Sequence, residues 1–285
     1  MAGDPIGQKA VKNAGPSTFP GPDGAYSPGP DGPGPGADAG VPGRKADPPH
    51  RLRRQGAIGV GLAFAIIAAW LLVHVYSVFF YVFTPSSWLT APILMALACW
   101  LYVGLFIVAH DAMHGSLAPG NAWLNRRLGQ LCLAIYAGFD FDTLNRKHHL
   151  HHQHAGSADD PDYDERPPHG FVSWYAKFLM AYFSWRQLLF MAVLANVYMR
   201  LFGAEVANLA AFWAIPAFVS SIQLFLFGTY LPHRPGADAF ADRHRARSLA
   251  YGWWLSLLSC FHFGYHHEHH DRPWLPWWRL PEARR

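Results

Sequence analysis

The sequence is poor in charge. Asp, Glu, Lys and Arg make up only 15% of its 285 residues, where a soluble domain carries about 25%. Hydrophobic residues reach 51% and aromatics 15%. This balance excludes an ordinary soluble globular chain and points to a membrane protein. Cysteine is scarce as well. Cys99, Cys132 and Cys260 each sit in an apolar neighbourhood, and none belongs to a C-x-x-C pair. A disulfide framework and a thiolate zinc site are thereby excluded, and packing remains as their role. The formal charge of +4 comes without a compact Lys/Arg stripe interleaved with stacking aromatics, so no nucleic-acid partner is expected. Binding signatures for flavin, NAD or an iron–sulfur cluster are missing too.

What the chain has instead is a polar leader followed by long apolar runs. Residues 1–50 are dominated by Pro, Gly, Asp and Ala, with stretches such as Gly21 to Gly24 and Pro28 to Gly36. Such a composition buries too little apolar surface to offset its ordering entropy. A disordered Pro/Gly-rich N-terminal tail is therefore expected over 1–50, and one membrane domain over 51–285. The tail has no charged segment leading into an apolar one, so it does not read as a secretory signal.

A spanning helix needs about 20 apolar residues. Ala57 to Phe83 and Leu89 to Ala109 meet that length, as does Val206 to Leu231. Gln187 to Leu201 is short, and is either tilted or begins earlier, near Phe178. Leu128 to Phe139 is too short to span and is expected at the interface or capping the bundle. The fold expected is all-α: an integral membrane helical bundle of about four transmembrane helices with a cytoplasmic histidine-rich metal-binding cap. Arg51, Arg53 and Arg54 precede the first span, and Arg126, Arg127, Arg146, Lys147, Arg243, Arg245 and Arg247 flank later ones. By the positive-inside rule the N-terminus is cytoplasmic, and two hairpins then bring every histidine cluster to the same side. Trp274, Trp277, Trp278 and Arg279 have the character of an interfacial anchor.

The chain holds 17 histidines, and they are clustered. His110 and His114 form an H-x-x-x-H at the end of the second span, one helical turn apart, so both imidazoles can converge on a metal. His148, His151 and His152 form an H-x-x-H-H that spacing places on one helical face, and His266, His269 and His270 repeat that pattern. These imidazoles are too many for one four-coordinate zinc and suit two metals with four or five nitrogen ligands each. Ligand type alone leaves iron, copper, nickel and zinc open. No glutamate follows His110 to make an H-E-x-x-H, which weighs against a zinc protease. Asp111, Asp159, Asp160, Asp162, Glu268 and Asp271 flank the clusters. Asp111 and Glu268, lying inside them, are the favoured partners for the outer N–H of a metal-bound histidine. His50, His74, His169 and His244 stand alone and read as packing or solvated residues.

The pattern resembles the membrane histidine-box di-iron oxygenases, which include fatty acid desaturases, alkane hydroxylases and carotenoid-oxygenating enzymes. It is most similar to the bacterial β-carotene ketolase family. The matching segments are His110 to Gly115, Asn145 to His152 running on to Asp159 to Asp162, Phe227 to His233, and Phe261 to His270. The resemblance covers about Arg51 to Pro276 and leaves the tail out. It implies His110, His114, His148, His151, His152, His233, His266, His269 and His270 as metal ligands. His233 enters on the resemblance together with its place at a helix end. His149 is the alternate for register in the second box, and His154 and His262 are further candidates.

The resemblance also implies two iron ions, O2 as co-substrate, an external electron donor such as a ferredoxin, and a carotenoid substrate entering from membrane lipid. The reaction implied is ketone formation at C4 and C4' of β-ionone rings, through two hydroxylations at one carbon and loss of water. β-Carotene would become canthaxanthin by way of echinenone, and 3-hydroxylated carotenoids would lead towards astaxanthin. The location implied is a bacterial inner membrane. Carotenoid 3-hydroxylation and fatty acyl desaturation or hydroxylation are the nearest rivals, since pocket shape rather than the boxes selects the hydrogen removed. A non-catalytic metal protein or transporter is the rival of another class. It predicts ionisable residues within the spans, where only His74 fits.

Overall fold

The computed structural model describes residues 47–236 and 238–284. Of the tail expected over residues 1–50, all but the last four residues lie outside the described residues. Among those described, the elements are helices and turns without a strand. Helix α1 (Pro49–Phe80), α2 (Ser87–Met113) and a later helix, Val206–His233, are long and apolar enough to cross a membrane. Between them lie α3 (Ala122–Ala137), α4 (Phe141–His154), α5 (Phe171–Tyr182) and α6 (Trp185–Phe202). The helix Val206–His233 is then α7, followed by α8 (Trp253–Cys260) and α9 (His266–Asp271).

The expected third span is a broken one. Helices α5 and α6 reach spanning length only as a pair, and the pair bends by 80°. The chain therefore has three candidate spans, or four if that pair counts as one. The segment Leu128 to Phe139, too short to cross, forms most of α3 and packs on α2 through Cys132, Leu133 and Tyr136. All three cysteines are free and buried.

The bundle has its apolar side chains outside as well as inside. Phe64, Leu72, Phe80, Trp88, Ile93 and Leu201 are all exposed. A helix satisfies its own backbone hydrogen bonds, so such a surface is stable against hydrocarbon but not against water. Helix α2 is the most enclosed, with Leu101 to Leu105 and Ile107 to Ala109 buried.

Two sets of polar contacts fix which ends meet. Asn208, at the start of α7, donates to the carbonyls of Ser77, Val78 and Tyr81 at 3.1, 3.3 and 2.8 Å. Gln55, near the start of α1, donates from Nε2 to the Ser116 carbonyl at 2.8 Å. The start of α7 thus lies by the α1–α2 turn, and the end of α2 lies by the start of α1. His110 on α2 and His233 on α7 consequently reach the same end of the bundle. The C-terminal segment closes over that end. The Trp277 N–H donates to Asp111 Oδ2 at 3.0 Å, and Arg279 Nη1 donates to Gln55 Oε1 at 2.9 Å. Trp277, read from sequence as part of an interfacial anchor, packs on Phe261 with ring centroids 5.1 Å apart.

Candidate metal centre

Helix α4 carries the second histidine cluster and is pinned at its start. Gly138 ends α3 with φ 71°, a left-handed value that suits glycine. Asp140 then caps α4 by accepting from the Thr143 N–H at 2.8 Å. Phe141 lies over Gly129, where an added Cβ would meet the Phe141 ring at 2.1 Å. Helix α9 is aimed by a tight reversal after α8. Phe261 and His262 both take left-handed conformations, φ 47° and 62°, which cost energy outside glycine. They are held by stacking of Phe261 on Trp100 at 4.3 Å and by hydrogen bonds from the His262 N–H to the Ser256 carbonyl and from the Tyr265 N–H to the His262 carbonyl.

These supports bring the nine expected residues into two groups. One holds His110, His114, His148, His152 and His269, and the other His151, His233, His266 and His270. Within each group one nitrogen per residue lies within 4.8 Å of all the others. The one-face reading of the H-x-x-H-H boxes is corrected by this division. In α4 the pair four apart, His148 and His152, joins the first group while His151 joins the second. In α9 the pair His266 and His270 joins the second group while His269 joins the first. The reason is helical geometry: at about 100° per residue, positions i and i+4 differ by about 40°, whereas i+3 lies about 100° from i+4. Each helix therefore stands between the two groups and serves both.

The nitrogen atoms meet closely. His110 Nε2 and His152 Nε2 lie 3.1 and 3.0 Å from His269 Nε2, and His114 Nε2 lies 2.7 Å from His148 Nε2. In the second group His266 Nε2 and His270 Nε2 are 3.1 Å apart. His233 donates from Nδ1 to the Arg245 carbonyl at 2.8 Å, while its buried Nε2 has no partner. Two nitrogens about 2.1 Å from one metal and at right angles to each other lie about 3.0 Å apart. The spacing fits a cation in each group, and the orphaned lone pair fits one in the second.

Burial, with the neighbouring imidazoles second, holds His114, His148, His152, His266, His269 and His270 well below the ordinary imidazole pKa. Their neutral form has a lone pair free for a metal. His151 differs. Burial pulls it down too, but Asp160's charge and hydrogen bond, with Asp162 adding, raise it overall. Its Nδ1 lies 2.9 Å from Asp160 Oδ1, which leaves Nε2 for the second group.

Asp160 is the carboxylate that sequence reasoning underrated. It is fixed by accepting from the Gly156 and Asp162 N–H groups, each at 2.9 Å. The two carboxylates favoured from sequence behave otherwise. Asp111 Oδ1 lies 3.5 Å from His110 Nδ1, beyond a good hydrogen bond, and its other oxygen holds Trp277. Glu268 accepts from Ser248 and touches no histidine of either group. The alternates also fall outside both groups: His149 Nδ1 turns back to the Asn145 carbonyl at 2.8 Å, and His262 stacks on Tyr265 at 5.6 Å. Burial lowers the His262 pKa to about 4. Of the lone histidines, His74 stacks on Trp70 at 4.5 Å, and His169 pairs through Nδ1 with the Asp164 carbonyl at 2.8 Å.

Beside the two groups lies a largely apolar cavity of about 850 Å³, counting its open mouth. His110 and His148 of the first group and His151 and His266 of the second border it. Its apolar wall includes Phe106, Phe139, Leu144, Phe178, Leu224 and Phe263. Of the aromatic and aliphatic residues close in sequence to the histidine clusters, Phe139 and Phe263 belong to this lining, whereas Phe141, Tyr163, Leu231 and Tyr265 do not.

A membrane-type bundle with nine buried or half-buried histidines at one end defines a class, and the comparisons agree with it. The fatty acid desaturase family matches residues 86–205 and 183–285, and the chain belongs to that family. Its relatives include the beta-carotene ketolases of Paracoccus sp. strain N81106, 51% identical over 77% of this chain and 89% of that protein, and of Paracoccus sp. strain PC1, 48% identical over 80% and 93%. A zeaxanthin 4-ketolase of Chlamydomonas reinhardtii is 38% identical over 82% of this chain and 55% of that protein.

Proposed function

We propose that the chain is an O2-dependent carotenoid ketolase that forms 4-keto groups on β-ionone rings. The observation that carries this reading is the apolar cavity bordered by histidines of both groups, on a chain about half identical to named beta-carotene ketolases. A polyene dissolved in the bilayer reaches such a cavity from the side without crossing water.

His110, His114, His148, His152 and His269 would hold one iron and His151, His233, His266 and His270 the other; the choice of iron rests on the family, since imidazole suits several metals. Bound there, the metals supply the activation of O2 needed to break an unactivated ring C–H bond. The chain's own residues position and shield. Asp160 and the Arg245 carbonyl orient His151 and His233 through their outer nitrogens. Phe106, Phe139, Leu224 and Phe263 hold an apolar ring against the histidines and exclude water. Oxidation twice at C4 gives a geminal diol, which loses water to the ketone.

Electrons would come from an external donor of ferredoxin type. Exposed Arg51, Arg53 and Arg54 offer a basic surface for an acidic one, whereas Arg126 is paired with Asp142 at 2.6 Å. Lys147, Arg245 and Arg247 contribute less to it, because they bind the backbone carbonyls of Ala181, Gly156 and Arg234. Arg51, Arg53 and Arg54 at the histidine end support an orientation with that end in the cytoplasm, in a bacterial inner membrane.

The test is pigment analysis, by chromatography and mass, of a β-carotene-accumulating bacterial host expressing the chain. Gain of one oxygen with loss of two hydrogens per ring is expected. Gain of oxygen without hydrogen loss would identify a hydroxylase. Unchanged β-carotene, with the protein in the membrane, would reject β-carotene as substrate.

A further inference from the structure

We propose that the Thr229 hydroxyl binds the oxygen that the first oxidation leaves at C4, and so directs the second oxidation to the same carbon. The inference rests on the ketolase reading and adds a residue that decides between alcohol and ketone.

Thr229 lies in the Phe227 to His233 segment, one turn before His233, where Leu226–Tyr230 forms a wide π-type turn of α7. Turns of this kind collect at functional sites. The residue is only 5% exposed and lines the cavity that His110, His148, His151 and His266 border. Its neighbour Gly228 has no room for a side chain: a Cβ there would meet Phe263 at 2.4 Å. Phe263 is thereby kept against His110 and His266, with ring centroids 4.7 and 5.0 Å away.

The other hydroxyls and the carboxylate of the cavity are already engaged. Tyr136 is bonded to Ser220 at 2.7 Å, Tyr182 donates to Asp162, and Ser221 donates to the Phe218 carbonyl at 2.7 Å. The Thr229 hydroxyl makes no hydrogen bond among the described residues, although a helical threonine commonly donates back to the preceding turn. An unpaired hydroxyl facing an apolar pocket loses its access to water when the pocket fills, and valine would fill the same volume without that penalty. The group therefore calls for an oxygen supplied by the occupant. A β-ionone ring brings none, but the ring carries one after the first oxidation. Hydrogen-bonded to Thr229, the C4 hydroxyl is held to the α7 side and the remaining C4–H is left facing the histidines. Thr229 makes and breaks no covalent bond.

A hydroxyl carried at C3 by the substrate could meet the same group, and the assay separates the two sources. Membranes containing the full chain, or Thr229→Val, Thr229→Ala and Thr229→Ser variants, would be given β-carotene, which has no C3 oxygen, and separately a 3-hydroxylated carotenoid. With β-carotene, Thr229→Val and Thr229→Ala are expected to oxidise as many rings as the parent, with the 4-alcohol to ketone ratio raised about tenfold, the weight of one hydrogen bond. Thr229→Ser should restore the parent ratio. An unchanged ratio in both hydroxyl-free variants overturns the proposal, as does equal loss of alcohol and ketone. A loss confined to the 3-hydroxylated substrate assigns Thr229 to C3 and overturns the C4 role. If neither hydroxyl-free variant accumulates in the membrane, Thr229 is a folding residue and the proposal falls. A parent chain that makes no ketone fails the ketolase reading itself, whatever the variants do.

Discussion

The two histidine groups are built by different means. In the five-residue group two pairs four apart, His110 with His114 and His148 with His152, are set by helix spacing, and Nε2 atoms meet at 2.7 to 3.1 Å. In the four-residue group every member is buried, and two are steered from behind, His151 by Asp160 and His233 by the Arg245 carbonyl. Helix periodicity is enough where one element supplies neighbouring ligands. His151 and His233, which join the pair His266 and His270 singly from two other helices, are each fixed by a bond to the far nitrogen.

The sharpest way to break this comparison is to remove one member from each group. His269→Ala and His151→Ala should each abolish ketone formation while the protein still enters the membrane. Iron analysis should then find about one ion per chain where the parent is expected to hold two. Equal loss of both ions from either variant would show that the groups are not separate.

Asp160→Asn comes next, since it leaves the His151 ring in place but removes the charge behind it. An outer carboxylate is worth about 10–100-fold in metal affinity, so one iron should become labile to chelator titration while the other is retained. Gly129→Ala acts on neither group directly. By pushing Phe141 it disturbs the start of α4, and a loss of about 1–3 kcal/mol is expected from thermal unfolding in detergent. Both irons should loosen together. The smallest effect is expected for His149→Gln, because His149 turns away to its own helix backbone. Its stability should stay within about 0.5 kcal/mol of the parent, with iron content unchanged; loss of an ion would move His149 into the five-residue group.

Eight of the nine histidines were legible because their spacing is local; His233 stands alone and entered only on the resemblance and its place at a helix end. The expectation of two sets of four or five imidazoles agrees with the two groups. The sharing between them was not legible, since H-x-x-H-H is compatible with one face until a second group exists on the other flank of the helix. Asp160 was hidden among neighbouring acids, because its approach to His151 depends on the turn through Gly156. The break between α5 and α6 was missed for a related reason: the bend of 80° separates two apolar helices, so composition hardly changes across it. The reversal at Phe261 and His262 lacks the glycine that would have announced it.

Helix α4 supplies His148 and His152 to one group and His151 to the other, and α9 does the reverse. The two groups are therefore tied to one helical register. A one-residue insertion or deletion ahead of His148 would turn its whole box by about 100° and unseat both groups at once. A change of register therefore cannot reach one group and leave its neighbour as it was. The variation open to such a chain lies in the cavity wall, where a changed side chain selects a different hydrogen and leaves the paired centre intact.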